Sequence, residues 1–213
     1  IGDSCTDKFI YGKCERICPE APVPVFTPTG ATSNGGMAKN VQANVIALGI
    51  DCDVITNSNE IEKRRYVDRK TNQMLLRVDI DDVVTTDFFD YKKVEYDKYD
   101  AILVSDYGKG FLRRGAIRDI CLRHDNVFFD SNKVKISYDL PLNLRFLKIN
   151  EQELEVNPHL KSHIRVNEGN SYTRADQIIV THGHKGCWYM GKMHTPPTRV
   201  ITQDLSGAGD TFL

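Results

Sequence analysis

Short apolar runs of strand length alternate with stretches of helical spacing along most of this chain, and that alternation restricts the fold more than any other feature. Residues 101–105, 126–130, 145–149 and 177–181 read as buried strands, and residues 53–56 as a further strand-like run. Among them, residues 41–48 have amphipathic helical spacing, residues 112–123 read as a helix, and another helix opens at Asn150. Strands joined by helical crossovers pair in parallel, so the pattern predicts an α/β protein: a three-layer αβα arrangement around a mainly parallel central sheet. Residues 8–26 and 64–78 break the alternation. They are rich in Tyr, Val and charged residues and read as antiparallel strands with one solvated face, forming a small β lid on a single domain spanning residues 1–213. In an open α/β sheet, ligands bind beyond the carboxyl ends of the strands, which directs attention to the residues just after each apolar run.

The chain carries 28 Lys and Arg against 29 Asp and Glu, a formal charge of −1. Bulk electrostatics therefore gives no reason to expect nucleic acid or an anionic membrane as partner, and any phosphate binding must be local. No apolar run approaches the roughly 18 residues of a membrane span. The first residues, Ile1-Gly2-Asp3, show no signal or transit peptide. The six cysteines include no CxxC pair and no zinc spacing, which predicts reduced thiols and a cytoplasmic location.

The most chemically informative string is Asp204-Leu205-Ser206-Gly207-Ala208-Gly209-Asp210-Thr211-Phe212. Gly207, Ala208 and Gly209 precede a helix, where unpaired backbone N–H groups and the helix dipole favour an anion. A carboxylate at Asp210, beside that anion hole, can take a proton from a hydroxyl while the hole holds the phosphoryl group under attack. A glycine turn that merely caps a helix has the same appearance. Near the other end, Gly35-Gly36-Met37-Ala38-Lys39-Asn40 opens the helix at residues 41–48; Gly36 allows close backbone approach, and Asn40 offers donor and acceptor to sugar hydroxyls. Neither a Walker A pattern nor a GxGxxG after a strand is present.

Together the two glycine motifs resemble the paired signatures of the ribokinase superfamily of sugar kinases, also called the phosphofructokinase-B family. Within it, the strings Pro19-Glu20-Ala21-Pro22-Val23-Pro24-Val25 and Ser105-Asp106-Tyr107-Gly108-Lys109-Gly110 look like the heptose 7-phosphate kinases. Lys63, Arg65, Gln73, Arg77 and Asp79 recur in similar spacing, as do Asn150 with Glu153 and the turn at Thr181 and Gly183. The resemblance covers nearly the whole chain. It implies a ribokinase-like fold and ATP-dependent phosphorylation of the anomeric hydroxyl of a heptose 7-phosphate, giving the 1,7-bisphosphate, a step toward the lipopolysaccharide core. By this resemblance Asp210 is the base, with Gly207, Ala208 and Gly209 as the anion hole. Asp7, Gly36 and Asn40 hold the sugar, and Thr181, Gly183 and Gly186 line the nucleotide side. Asn150 and Glu153 organise Mg²⁺ and phosphates through water, with no direct metal ligand. The substrate's own phosphate calls for a cationic clamp from among Arg16, Lys39, Lys63, Arg65, Arg77 and Lys109, with Arg77 and Lys109 foremost. The expected partners are a sugar phosphate and ATP, with no nucleic acid or membrane, and a homodimer paired through the lid.

The family's glycine-containing loop and helix after Asn57 are missing, Asp130-Ser131-Asn132-Lys133 stands in place of Asp-Pro-Lys, and relatives continue past the position of Leu213. These departures imply a piece of a longer reading frame, cut at both ends. His182 with His184, and His159 with His163, lack supporting carboxylate or thiol ligands and are not expected to bind metal. Two other readings stay open: a kinase for another sugar or a nucleoside, and a non-catalytic remnant that binds the sugar phosphate.

Overall fold

A computed structural model describes residues 1–131, 144–161, 176–196 and 208–209. The chain runs through β1 (Ser4–Ile17), β2 (Pro24–Met37), α1 (Ala38–Ala47), β3 (Glu62–Asp68), β4 (Met74–Ile80), β5 (Ile102–Asp106) and α2 (Ala116–Cys121). It continues through β6 (Val127–Ser131), β7 (Leu144–Asn150), α3 (Glu151–Val156), β8 (Ile178–Thr181), β9 (Cys187–Tyr189) and β10 (Lys192–His194). Two sheets result. One has the order β10-β9-β8-β7-β6-β5, the other β2-β1-β3-β4.

In the larger sheet β5, β6, β7 and β8 are parallel, while β9 and β10 add an antiparallel edge. The parallel strands are the uniformly apolar runs, as strands covered on both faces must be. Val104, Val127, Leu147, Ile149 and Val180 are fully buried and form one core with Ile61, Ile102, Ile120 and Leu160. Among the described residues, no helix is long and apolar enough to cross a membrane.

The smaller sheet is the lid. β1 and β2 form an antiparallel hairpin whose turn is closed by the Cys18 N–H donating to the Val23 carbonyl at 2.8 Å, and β3 and β4 form a second hairpin. The two hairpins join through β1 and β3, which pair in parallel. The strands are longer than composition suggests, because β2 runs on through Gly35 and Gly36 to the start of α1. β1 roots the lid in the larger sheet: Gly2 bridges Ser105 of β5 in parallel, and a Cβ on Gly2 would stand 1.9 Å from the Ser105 carbonyl oxygen. Only glycine fits there.

One expectation is corrected. Residues 53–56 do not form a strand; their ladder contact is a single bond from the Gly2 N–H to the Ile55 carbonyl at 3.1 Å. β1 turns away into the lid just after Asp3, so nothing remains beside residues 53–56 to continue a ladder.

Candidate functional site

Parallel pairing places the carboxyl ends of β5 to β8 on one rim. The register sets Asp130 beside both Ser105 and Lys148, and Asn150 beside Thr181. β1 runs parallel to β5 at its root and so rises into the lid from this same rim. The rim and the overhanging lid hold the described part of the candidate site.

Asp3 organises their junction. It is fully buried, its carboxylate accepts the backbone N–H of Lys109 at 3.2 Å and of Phe111 at 3.0 Å, and its carbonyl accepts the first N–H of α1, from Ala38, at 3.0 Å. One side chain thus ties the lid root to the loop after β5. Sequence reading did not assign Asp3 a role, since the partners of its carboxylate lie more than a hundred residues away. Asn57, also buried, does the same for the turn before β3, exchanging hydrogen bonds with both backbone groups of Ser4 at 2.7 and 3.2 Å.

Strand register gathers the polar side chains of the lid. Asp7 of β1 stands beside Lys63 of β3, and Lys63 beside Asp79 of β4, with Arg65 opposite Arg77 in the next non-consecutive row. Residues two apart on a strand share a face, so Asp7, Lys63, Arg65, Arg77 and Asp79 lie on one side of the lid. Asp7 accepts from Arg65 at 2.5 Å, and the guanidinium of Arg65 lies 5.1 Å from the Phe9 ring centroid. Arg77 grips Asp79 through two bonds of 2.7 and 2.8 Å and holds the Asp79 carboxyl below the ordinary carboxylate value. Lys109 is paired with Asp82. Arg77 and Lys109, the cations foremost in the sequence reading, therefore both have carboxylate partners, while Arg16 and Lys39 are exposed.

Gly36 faces Asp7. A Cβ there would lie 2.3 Å from the Asp7 carboxylate and 2.7 Å from the Cys5 sulfur, so the two chains approach as closely as they do only because the position is glycine. Burial pushes the Cys5 thiol up to about 11, which keeps it neutral and apolar in this setting. Met37, which follows, enters α1 with φ of 57°, a left-handed conformation that an L side chain adopts at a cost of about 1–3 kcal/mol. Asn40 lies half-buried in the first turn of α1.

Across the rim, Asn150 and Glu153 form a reciprocal capping box at the start of α3: the Asn150 side chain accepts the Glu153 N–H at 2.9 Å, and the Glu153 carboxylate accepts the Asn150 N–H at 2.7 Å. Burial raises the Glu153 carboxyl above its ordinary value, against the pull of the Asn150 N–H. Thr181 ends β8 and donates to the Ile149 carbonyl at 3.3 Å. Gly183 lies exposed in the following turn with a φ of +54°. Gly186 has a structural reason of its own, because a Cβ there would strike the His194 carbonyl oxygen at 1.9 Å. His182 pairs with Glu151 at 2.7 Å.

Gly207 and Asp210 lie outside the described residues; Ala208 and Gly209 are exposed at the rim. A Cβ on Gly209 would stand 3.0 Å from the ammonium of Lys148, which is buried and paired with Asp130 at 2.8 Å. Gly209 thus comes against the carboxyl-terminal half of β7, in the sheet from whose rim the lid rises. Lys148 was not singled out from sequence, although a lone lysine in the apolar run Phe146-Leu147-Lys148-Ile149 is a legible signal, and Asp130 was noted there only as the start of the string that replaces Asp-Pro-Lys. A cavity of about 420 Å³ between Val41, Val45, Asp53, Tyr99 and Leu103 contains none of these groups.

Solved structures show which fold this is. The chain is similar to ribokinase of Thermotoga maritima, with a TM-score of 0.62 at 14% identity, covering 99% of this chain and 82% of that one. It is also similar to Arabidopsis thaliana ribokinase complexed with ribose and ATP, with a TM-score of 0.59 at 12% identity, covering 99% and 81%. The fold is that of the ribokinase-like carbohydrate kinases. The sequence is similar to the bifunctional protein HldE of Geotalea uraniireducens, 28% identical with all of this chain and 53% of the relative covered, and to that of Helicobacter pylori, 28% identical with all of this chain and 56% covered. The chain spans about half the length of these curated relatives. The first alignment runs over 262 positions against the 213 of this chain, so the relative carries residues without a counterpart here. No family model matches the chain.

Proposed function

We propose that the chain transfers the γ-phosphoryl group of ATP to the anomeric hydroxyl of a heptose 7-phosphate, giving the 1,7-bisphosphate and ADP. The observation that carries this reading is that the lid rises beside the carboxyl end of β5 while Gly209 comes against Lys148 of the parallel strand β7 in the same sheet. A lid lined with Asp7, Lys63, Arg65 and Arg77 suits a polyhydroxylated, anionic acceptor, and a glycine turn over Lys148 suits the phosphates of a nucleotide. The sequence resemblance to heptose 7-phosphate kinases chooses the acceptor.

In this mechanism Asp210 removes the proton of the anomeric hydroxyl as the new oxygen–phosphorus bond forms. The bond to the β,γ-bridging oxygen breaks, and ADP carries away the electron pair. The backbone N–H groups of Gly207, Ala208 and Gly209 stabilise charge on the transferring group. Asp7, close to Gly36, and Asn40 orient the sugar, while Thr181 and Gly183 border the nucleotide. Mg²⁺ would neutralise phosphate charge when bound. Glu153 and Asp130 are oxygen donors of the type it prefers, but they are engaged by the Asn150 N–H and by Lys148, which suits holding the ion through water.

The test is ADP formation by the full-length protein with heptose 7-phosphate, set against fructose 6-phosphate, ribose and a nucleoside. A preference of tenfold or more for the heptose phosphate in kcat/KM is expected, on the order of 1.4 kcal/mol of discrimination or more. A nucleoside preference would overturn the reading, and no turnover with any acceptor would favour the sugar-phosphate-binding remnant.

Gly36→Ala probes the sugar side. Its methyl group must displace the Asp7 carboxylate from Arg65 or shift β2, so KM for the sugar phosphate is expected to rise about tenfold or more, and stability to fall by about 1–3 kcal/mol. Steady-state kinetics and thermal unfolding check it; an unchanged KM would remove Gly36 and Asp7 from the sugar site.

A further inference from the structure

We propose that Lys63 is the cation that receives the phosphate group the sugar already carries, an inference that rests on the kinase reading above. The argument is one of charge balance on the lid face and the loop beneath it. Four cations meet there, Lys63, Arg65, Arg77 and Lys109, and three carboxylates are turned to side-chain cations, Asp7, Asp79 and Asp82, while the Asp3 carboxylate is taken up by the backbone N–H groups of Lys109 and Phe111. Arg65 takes Asp7, Arg77 takes Asp79, and Lys109 takes Asp82. Lys63 stands between Asp7 and Asp79 in the strand register, but both carboxylates are turned to the arginines. Among the described residues, it forms no ion pair.

Lys63 is nevertheless only 7% exposed. The face of Tyr107 covers it, with the ring centroid 5.4 Å from the ammonium, and the Asp79 carboxylate feels its charge without pairing to it. An aromatic face offsets part of the loss of hydration, and much less of it than a carboxylate would. A buried ammonium without a directly paired carboxylate is retained at a free-energy cost, and an arriving anion would offset that cost. A phosphate monoester, carrying roughly −1.5 to −2 charges at neutral pH, is an anion that a compact ammonium binds well. Tyr107 also places the ammonium beside the loop that Asp3 fixes, and so at the mouth between lid and rim. The other strongly charged pair of β3, Arg64 with Glu62, lies on the opposite face of the strand and is satisfied at 2.8 Å.

The test compares two acceptors on the full-length protein, heptose 7-phosphate and the same heptose without its phosphate. The readout is the ratio of their kcat/KM values. Lys63→Met is expected to lower the preference for the phosphorylated acceptor by about 10- to 100-fold, mainly through KM, and Lys63→Arg, which keeps the charge, to restore most of it. If Lys63→Met reduces both acceptors by one common factor, or leaves the ratio as it was, Lys63 does not receive the phosphate. Should the natural protein turn over no sugar, the kinase reading fails by itself. Calorimetric binding of heptose 7-phosphate to the natural and Lys63→Met proteins then decides the lysine separately: an equal affinity overturns the assignment, and a loss of 10-fold or more upholds it.

Discussion

Asparagine in place of Asp210 is expected to lower kcat for phosphoryl transfer by roughly 100- to 10,000-fold while leaving sugar-phosphate affinity nearly unchanged. An amide occupies the same space as the carboxylate and keeps one acceptor oxygen, but it cannot take up the proton of the anomeric hydroxyl. The effect therefore belongs to kcat. Single-turnover rates and calorimetric affinities on the full-length protein separate the two quantities, and a kcat within threefold of the natural protein would exclude Asp210 as the base. Asp210 itself lies outside the described residues, so its assignment rests on its place in the string Gly207-Ala208-Gly209-Asp210, of which Gly209 comes against Lys148 at the end of β7.

Removing the carboxylate of Asp130 is expected to have the largest effect on stability. The side chains of Asp130 and Lys148 are 7% and 8% exposed and meet at 2.8 Å. Asp130→Ala leaves a buried ammonium without its counter-charge and is expected to cost about 3–5 kcal/mol, a large part of the 5–15 kcal/mol that typically separates a folded domain from its unfolded chain. For a chain of this size that corresponds to a fall in Tm of roughly 6–20 °C. The double replacement Asp130→Leu with Lys148→Met removes both charges and is expected to recover most of the loss. A fall below about 2 °C in the single variant would show that water reaches the pair and that the rim is wetter than its burial implies. Because Gly209 sits against the same ammonium, loss of Asp130 is also expected to loosen the turn on which the proposed anion hole depends.

The elements that were legible in sequence are those whose signal is local. Val104, Val127, Leu147 and Val180 sit in runs too apolar and too short for anything but strands covered on both faces, and all four proved fully buried. The helix α1 follows from the spacing of Val41 and its neighbours after two glycines, and α3 from the capping pair Asn150 and Glu153, which is itself a local pattern. Where sequence reading failed, the missing information was tertiary. Residues 53–56 have the β-branched composition of a strand, yet β1 leaves for the lid and offers them one hydrogen bond. Asp3 reads as one acidic residue among many until its bonds to Lys109 and Phe111 bring the lid root to the loop after β5.

The clamp residues show the same division. In sequence, Lys63, Arg65, Arg77 and Lys109 are cations in polar strings, and the specificity of those strings put Arg77 and Lys109 foremost. Their rank depends on which carboxylate stands beside each one, and that follows from the parallel pairing of β1 with β3 and the antiparallel pairing of β3 with β4.

By itself, then, the amino-acid sequence determined the alternation of strand and helix, the near-neutral charge that forces phosphate binding to be local, and the glycine turns toward both ends of the chain. Those properties depend on composition and on contacts between residues a few positions apart. Tertiary structure alone decided that Gly36 closes on Asp7 in the lid, that Arg77 and Lys109 are already paired while Lys63 is not, and that Lys148 lies against Gly209. These are relations between strands far apart in the chain, set by register and burial, and Coulomb energies follow distance in space whatever the separation in sequence.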